Sequence, residues 1–229
     1  MQAIFQTVGV VGTGAMGQGI AQIAAQAGSL VKLYDLQPEA VAKASKNIQQ
    51  QWDKLLEKNR FTAEQVTKFK ANLQSASQLS DLSDCDLVIE AIVERLDIKK
   101  SFFAELEQLV RPSAVLVTNT SSLSVTAIAS ALKRPEQFAG YHFFNPVPLM
   151  KVVEVIAGLK TNPSICNALS DYAKQMGHKA VVAQDTPGFI VNKVARPFYS
   201  EAIKLYEEGV ASVAEIDAAV KSIGFRMGP

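Results

Sequence analysis

A chain of 229 residues, 48% hydrophobic and 20% charged, is long enough for one large α/β domain with an appendage and is not composed like a fibre or a disordered protein. Its formal charge of +1 selects neither nucleic acid nor an anionic membrane surface as a partner, so a charged ligand has to be met by local groups. Cys85 and Cys166 make no disulfide framework, the two histidines form no Cys/His cluster for a metal, residues 1–7 carry no basic leader, and no apolar run approaches the roughly 20 residues of a membrane span; the expectation is a cytoplasmic protein with no metal, no nucleic acid and no membrane.

The first element is a short apolar strand, residues 8–11, that feeds Gly12-Thr13-Gly14-Ala15-Met16-Gly17 and an Ala/Ile-rich helix. That order is a dinucleotide cradle. Gly12 permits the tight turn, Gly14 lets the backbone approach a pyrophosphate, and Gly17 lets the helix pack on the strand, so that the N–H groups around Ala15 and Met16 face the phosphates. Methyltransferases and flavoproteins carry similar glycines, and the next element narrows the choice. A second strand, residues 30–34, ends in Asp35 at the roughly 20-residue spacing from which a carboxylate meets an adenosine ribose. Leu36 and Gln37 bring no positive charge for a 2′-phosphate, which favours NAD over NADP; the alternative for Asp35 is a solvated strand end.

Residues 38–71 are polar and too long for an ordinary crossover helix. Apolar Ile48, Trp52, Leu55 and Leu56 fall near helical spacing, and Thr62 with Gln65 forms a capping box for a second helix. A helical hairpin projecting from the sheet is expected. Its basic residues, among them Lys54, Lys58 and Arg60, either meet an anionic ligand or form a solvated face, since Asp53, Glu57 and Glu64 are interspersed.

Buried-looking strands follow at residues 86–90 and 114–118, separated by a helix over 96–110. Further strands are expected at 138–143, 152–156 and 180–183, some of them antiparallel, with a helix near 163–176. At Asp185-Thr186-Pro187-Gly188 the pattern turns helical, over 189–208 with Pro197 inside and then 213–223. The expected fold class is therefore α/β: a Rossmann-like, doubly wound, mostly parallel sheet over residues 1–185, followed at 186–229 by the start of an all-helical C-terminal domain. Two helices make a poor core, and either another chain or further sequence is expected to cover their apolar face.

Three polar clusters sit where open α/β sheets place ligands. Thr118-Asn119-Thr120-Ser121-Ser122 follows a buried strand; Ser121 can donate to a substrate oxygen, while Ser122 or Ser124 can cap the helix expected over 125–132. Gly140-Tyr141-His142-Phe143-Phe144-Asn145-Pro146 holds a histidine suited to proton transfer, although a lone histidine in an apolar run is also a common core residue. Glu154, a carboxylate inside the apolar strand Val152-Val153-Glu154-Val155-Ile156, needs a partner, and His142 is the natural one. Asn192, one turn into the helix that leaves the sheet, can hold a carbonyl or decorate a surface. His178 reads as a solvated turn residue.

In this order, Gly12-Thr13-Gly14-Ala15-Met16-Gly17-Gln18-Gly19, Glu90-Ala91-Ile92-Val93-Glu94, Asn119-Thr120-Ser121-Ser122-Leu123, His142-Phe143-Phe144-Asn145-Pro146-Val147, Met150-Lys151-Val152-Val153-Glu154-Val155 and Thr186-Pro187-Gly188-Phe189-Ile190-Val191-Asn192 resemble the 3-hydroxyacyl-CoA dehydrogenase family over nearly the whole chain. Within it the chain looks like the bacterial branches acting on 3-hydroxybutyryl- and 3-hydroxyadipyl-CoA, and the segment 194–201 looks like the branch of phenylacetate breakdown. The resemblance implies NAD-dependent oxidation of a (3S)-3-hydroxyacyl-CoA. His142 would be the general base and Glu154 its charge partner; Ser121 and Asn192 would bind the substrate oxygen. Asp35 would bind the adenosine ribose, and Glu94, Lys99, Asn119 and Asn145 would lie along the cofactor. The hairpin would meet an acyl-CoA through Lys54, Lys58 or Arg60. Lys193 stands where the family more often has Arg. Members of the family continue with further helices, which implies a truncated chain and a homodimer formed through the C-terminal helices. The competing expectations are a non-catalytic NAD-binding protein, which has little use for a His–Glu pair, and a dehydrogenase of a small hydroxy acid, which has little use for a basic hairpin.

Overall fold

The computed structural model describes residues 3–229; residue 1, where the first domain was expected to start, lies outside them. β1 (Thr7–Val11) is buried on both faces, as the central strand of a parallel sheet must be. Gly12, at φ +92°, turns the chain into α1 (Ala15–Gln26), and its N–H donates to the Tyr34 carbonyl at 2.9 Å. β2 (Leu30–Tyr34) runs parallel to β1, Thr7 facing Leu30 and Val11 facing Tyr34.

α2 (Pro38–Glu57) opens with proline in its first turn, where the missing N–H costs nothing, and buries Val41, Ala44, Ile48 and Trp52 on one stripe. α3 (Ala63–Ala71) starts on the expected capping box: Gln65 N–H donates to Thr62 Oγ1 at 3.2 Å and Thr62 N–H to Gln65 Oε1 at 2.9 Å. The hairpin is anchored to α1 and β2 along α2. It also encloses aromatic rings of its own, with Trp52 fully buried 5.8 Å from Phe69 and Phe61 at 5.1 Å from Phe69. The Trp52 indole N–H has no hydrogen-bond partner among the described residues. A third strand, β3 (Leu73–Ser75), pairs with β2 and was not expected.

The remaining elements of the sheet are β4 (Leu87–Glu90), α4 (Leu96–Leu109), β5 (Val115–Thr118), α5 (Val125–Ala129), β6 (Phe138–Phe143), β7 (Val152–Ala157), α6 (Pro163–Gln175) and β8 (Lys179–Gln184). They complete an eight-stranded sheet in the order β3-β2-β1-β4-β5-β6-β7-β8, parallel except where β6 meets β7. The order reverses between β1 and β4, and the crevice beyond the carboxyl ends of such strands is where open α/β sheets bind ligands. α5 stops at Ala129, short of the expected Leu132, and it is Ser124 that caps it, accepting from the Ala127 N–H at 3.1 Å.

The chain divides into two compact units, Met1–Thr186 and Pro187–Pro229. The second holds α7 (Val191–Glu207), with Pro197 inside, and α8 (Val213–Ser222), which starts on a Ser212/Glu215 capping box. No residue of α7 is buried, and Val194, Tyr199, Ile203 and Tyr206 are exposed. Among the described residues no helix is long and apolar enough to cross a membrane, and no cluster of His, Cys, Asp and Glu is fit to hold a metal.

Candidate active site

The glycine run shapes the cradle by what it leaves out. A Cβ on Gly12 would lie 2.5 Å from the Ala91 carbonyl oxygen, and one on Gly17 would collide with the Gly12 carbonyl. Gly14 is different: a Cβ there would meet nothing within 4 Å, so its backbone faces open space. Gly14 is also the N-cap of α1, whose first N–H groups and dipole favour a negative charge. Ala15 is exposed and Met16 half-buried in that first turn. The loop borders a cleft of about 750 Å³ whose lining includes Gly12, Thr13 and Asp35 together with the apolar Ile92, Ile98 and Phe102. Asp35 Oδ2 accepts from the Thr13 N–H at 2.9 Å and hydroxyl at 3.0 Å, and Oδ1 from the Gln37 N–H at 3.2 Å. A dinucleotide fits these residues: a helix N-terminus for the phosphates, an apolar wall for a base, a carboxylate for a ribose.

Across the switch point, Glu90 ends β4 fully buried, its Oε1 2.5 Å from the Lys99 ammonium and its Oε2 accepting from the Thr118 hydroxyl at 2.7 Å. Sequence reasoning did not single out Glu90, although a carboxylate closing an apolar strand was the available signal. Lys99 is 1% exposed and divides itself between Glu90 and Glu94, the latter at 3.3 Å. An ammonium so far from solvent has to pair with carboxylates, and Lys99 is held between these two. Glu94 in turn accepts from the Thr120 hydroxyl at 2.5 Å, the Ser121 N–H at 3.0 Å and the Ser122 hydroxyl at 3.2 Å. Burial raises the Glu94 carboxyl, but the Thr120 hydroxyl, the Lys99 ammonium and the Ser121 N–H more than offset it and hold the group below the ordinary carboxylate range. The turn that carries Ser121 is thus moored to Glu94.

His142 and Glu154 face each other across the one antiparallel pairing, β6 to β7. Their side chains meet with Nδ1 2.7 Å from Glu154 Oε2, both nearly inaccessible to solvent. The Phe144 ring centroid lies 4.5 Å from that of the imidazole, tilted by 55°. Asn119, at the end of β5, accepts the Phe143 N–H at 2.9 Å on its Oδ1 and so ties the strand of His142 to the strand before it. Asn145 is exposed on the following loop.

Lys54, Lys58 and Arg60 are exposed on the hairpin, and no ion pair involves them among the described residues, whereas Lys68 is paired with Glu64 and Lys70 with Asp53. Asn192 lies in the first turn of α7, in the second unit. His178 is not the solvated turn residue that the sequence suggested. It is buried, with Nε2 2.9 Å from the Val147 carbonyl and Nδ1 3.1 Å from the Met176 carbonyl, because β8 joins the sheet beside β7 and brings it against the segment after β6. In the first unit Asp185 accepts from the Ser124 hydroxyl and from the Val125 and Thr126 N–H groups at 2.8 to 3.0 Å, at the start of α5.

Comparison with known proteins agrees with this geometry. Residues 7–186 match the family model of the NAD-binding domain of 3-hydroxyacyl-CoA dehydrogenase, and residues 188–229 match that of its C-terminal domain. A 3-hydroxyadipyl-CoA dehydrogenase of Escherichia coli is 46% identical over 98% of this chain, and a 3-hydroxybutyryl-CoA dehydrogenase of Bradyrhizobium diazoefficiens is 41% identical over 96%. The chain spans about half the length of the first (47%) and 75% of the second. The crystal structure of (S)-3-hydroxybutyryl-CoA dehydrogenase from Ralstonia eutropha superposes with a TM-score of 0.95 at 36% identity, covering 98% of this chain and 80% of that one.

Proposed function

The chain belongs to the 3-hydroxyacyl-CoA dehydrogenase family, with residues 7–186 forming its NAD-binding domain, and on that premise we propose that it oxidises a (3S)-3-hydroxyacyl-CoA to the 3-oxoacyl-CoA. The observation that carries the reading is the His142–Glu154 pair, a proton-transfer group built where a binding protein would need none. Glu154 on Nδ1 selects the tautomer in which Nε2 bears the lone pair. Nε2 takes the proton of the 3-hydroxyl as the C3–H bond breaks and the carbonyl forms, and Glu154 balances the charge that the ring acquires. NAD, when bound, accepts the hydride from C3. In the reverse direction His142 returns the proton.

Ser121, on a turn moored to Glu94, and Asn192, at the start of α7, hold the substrate oxygen. Asp35 takes the adenosine ribose; the cradle from Gly12 to Gly17 takes the pyrophosphate, with Glu94, Lys99, Asn119 and Asn145 further along the cofactor. Lys54, Lys58 and Arg60 meet the phosphates of CoA. Residues 1–185 are read as the cofactor domain and 186–229 as the first helices of a substrate and dimerisation domain, through which the chain forms a homodimer. The likeness of the segment 194–201 to the phenylacetate branch supports a bacterial cytoplasmic enzyme of aromatic-acid (phenylacetate) breakdown, and short-chain β-oxidation is the related setting.

NADH consumption with acetoacetyl-CoA tests the reading. Turnover is expected, and His142→Ala should lower it by about a hundredfold or more while NADH still binds. Turnover that survives this substitution would remove His142 from the chemistry.

A further inference from the structure

Two residues outside the cleft close a ring of hydrogen bonds around the phosphate loop. From α2, the Asn47 amide donates to Gln18 Oε1 at 3.2 Å; from α1, Gln18 Nε2 donates to the Thr13 carbonyl at 2.8 Å. Thr13 donates twice to Asp35 Oδ2, and Asp35 Oδ1 accepts from Gln37, the N-cap of the same α2 that carries Asn47. The ring therefore begins and ends on one helix, whose own hydrogen bonds fix the distance between its two attachment points.

We infer that Gln18 and Asn47 are positioning residues that set the discrimination between NAD and NADP by holding the Asp35 carboxylate in one orientation. Neither side chain lines the cleft, so neither acts by touching the cofactor. Of the roughly four lone-pair sites on a carboxylate, protein donors occupy two on Oδ2 and one on Oδ1, which leaves Oδ1 one site for a ligand hydroxyl. A ribose can use that site. A 2′-phosphate, with a charge of about −1.5 to −2, meets instead a carboxylate that cannot turn away. Selectivity then depends on how stiffly the carboxylate is held, and Thr13 holds it only as firmly as Gln18 and Asn47 hold Thr13. This rests on the reading that Asp35 meets the adenosine ribose.

The test is calorimetric binding of NADH and NADPH, with thermal melts as a check on folding. Gln18→Leu and Asn47→Leu should each weaken NADH about three- to tenfold, the worth of one or two neutral hydrogen bonds, and leave NADPH unchanged or tighter. Because both act through one ring, the double variant should lose no more than the worse single one. Asn47→Asp, which keeps the size but removes the donor on a half-exposed helix face, should behave like Asn47→Leu and decides the matter if Gln18→Leu fails to fold. Asp35→Ala separates the two layers of argument. If it leaves the NADH to NADPH ratio unchanged, the ribose reading fails; if it collapses the ratio while the ring variants keep the wild-type value, or if their losses add, the ring plays no such part.

Discussion

The His142–Glu154 contact sets a carboxylate against an imidazole between two buried strands, and that makes its two natural disruptions distinguishable. Glu154→Ala leaves a buried imidazole without the partner that β7 supplies, and breaking a buried pair from one side costs about 3–5 kcal/mol; the melting temperature should fall with activity. Glu154→Gln keeps the shape and an oxygen for the Nδ1–H but not the charge, so activity should fall with little change in melting. Equal stability losses for both would mean that the charge, and not the shape or the acceptor oxygen, is what Glu154 contributes to the fold. Gly17→Ala is a backbone matter, since its Cβ collides with the Gly12 carbonyl; NADH affinity should collapse even though alanine is the better helix former. Asp185 gives a prediction for acid. Burial raises its carboxyl, but the Thr126 hydroxyl and N–H, the Ser124 hydroxyl and the Val125 N–H outweigh that and leave it lowered. A group lowered on folding stabilises fully above its unfolded value of about 3.9 and loses that contribution as pH falls through the folded one. Asp185→Asn should therefore be less stable than the wild type at neutral pH and converge with it below about pH 4 in urea unfolding.

At the scale of elements, the hairpin of α2 and α3 is where the proposed CoA contact is tested. Replacing Lys54, Lys58 and Arg60 together by alanine should raise KM for acetoacetyl-CoA several-fold with kcat nearly unchanged, because charges that meet a distant phosphate bind ground state and transition state alike. A KM that does not move would point to a small hydroxy acid without CoA. The hairpin was readable in advance because α2 buries Ile48 and Trp52 at helical spacing and Thr62 caps α3 with Gln65, both local signals. β2 and β6 were likewise legible to their last residue, each a short stretch rich in aliphatic and aromatic residues. β3 was not: Leu73, Gln74 and Ser75 have neither alternation nor length, and only pairing with β2 makes them a strand. His178 and Glu90 escaped for a related reason, since their partners, the Val147 carbonyl and the Lys99 ammonium, are chosen by the sheet and not by neighbours in sequence. The His142–Glu154 pair was found because a carboxylate in an apolar strand is visible without coordinates.

Across the whole molecule, the first unit buries its apolar residues on both sides of the sheet, while α7 in the second buries none. Full burial of a side chain such as Ile203 or Val194 contributes about 1.5–3 kcal/mol, and that gain is open to a second copy of the chain. Sedimentation should show concentration-dependent dimers that Ile203→Asp and Val194→Asp dissociate; a monomer at high concentration would end the dimer reading.

Trp52 is the only tryptophan of the chain, and it sits fully buried in the hairpin, its indole N–H without a hydrogen-bond partner among the described residues. An indole in so dry a setting emits at short wavelength, and the emission reddens once water reaches it. The protein thus carries its own optical gauge of whether the hairpin is closed, readable without a label while acyl-CoA is titrated in.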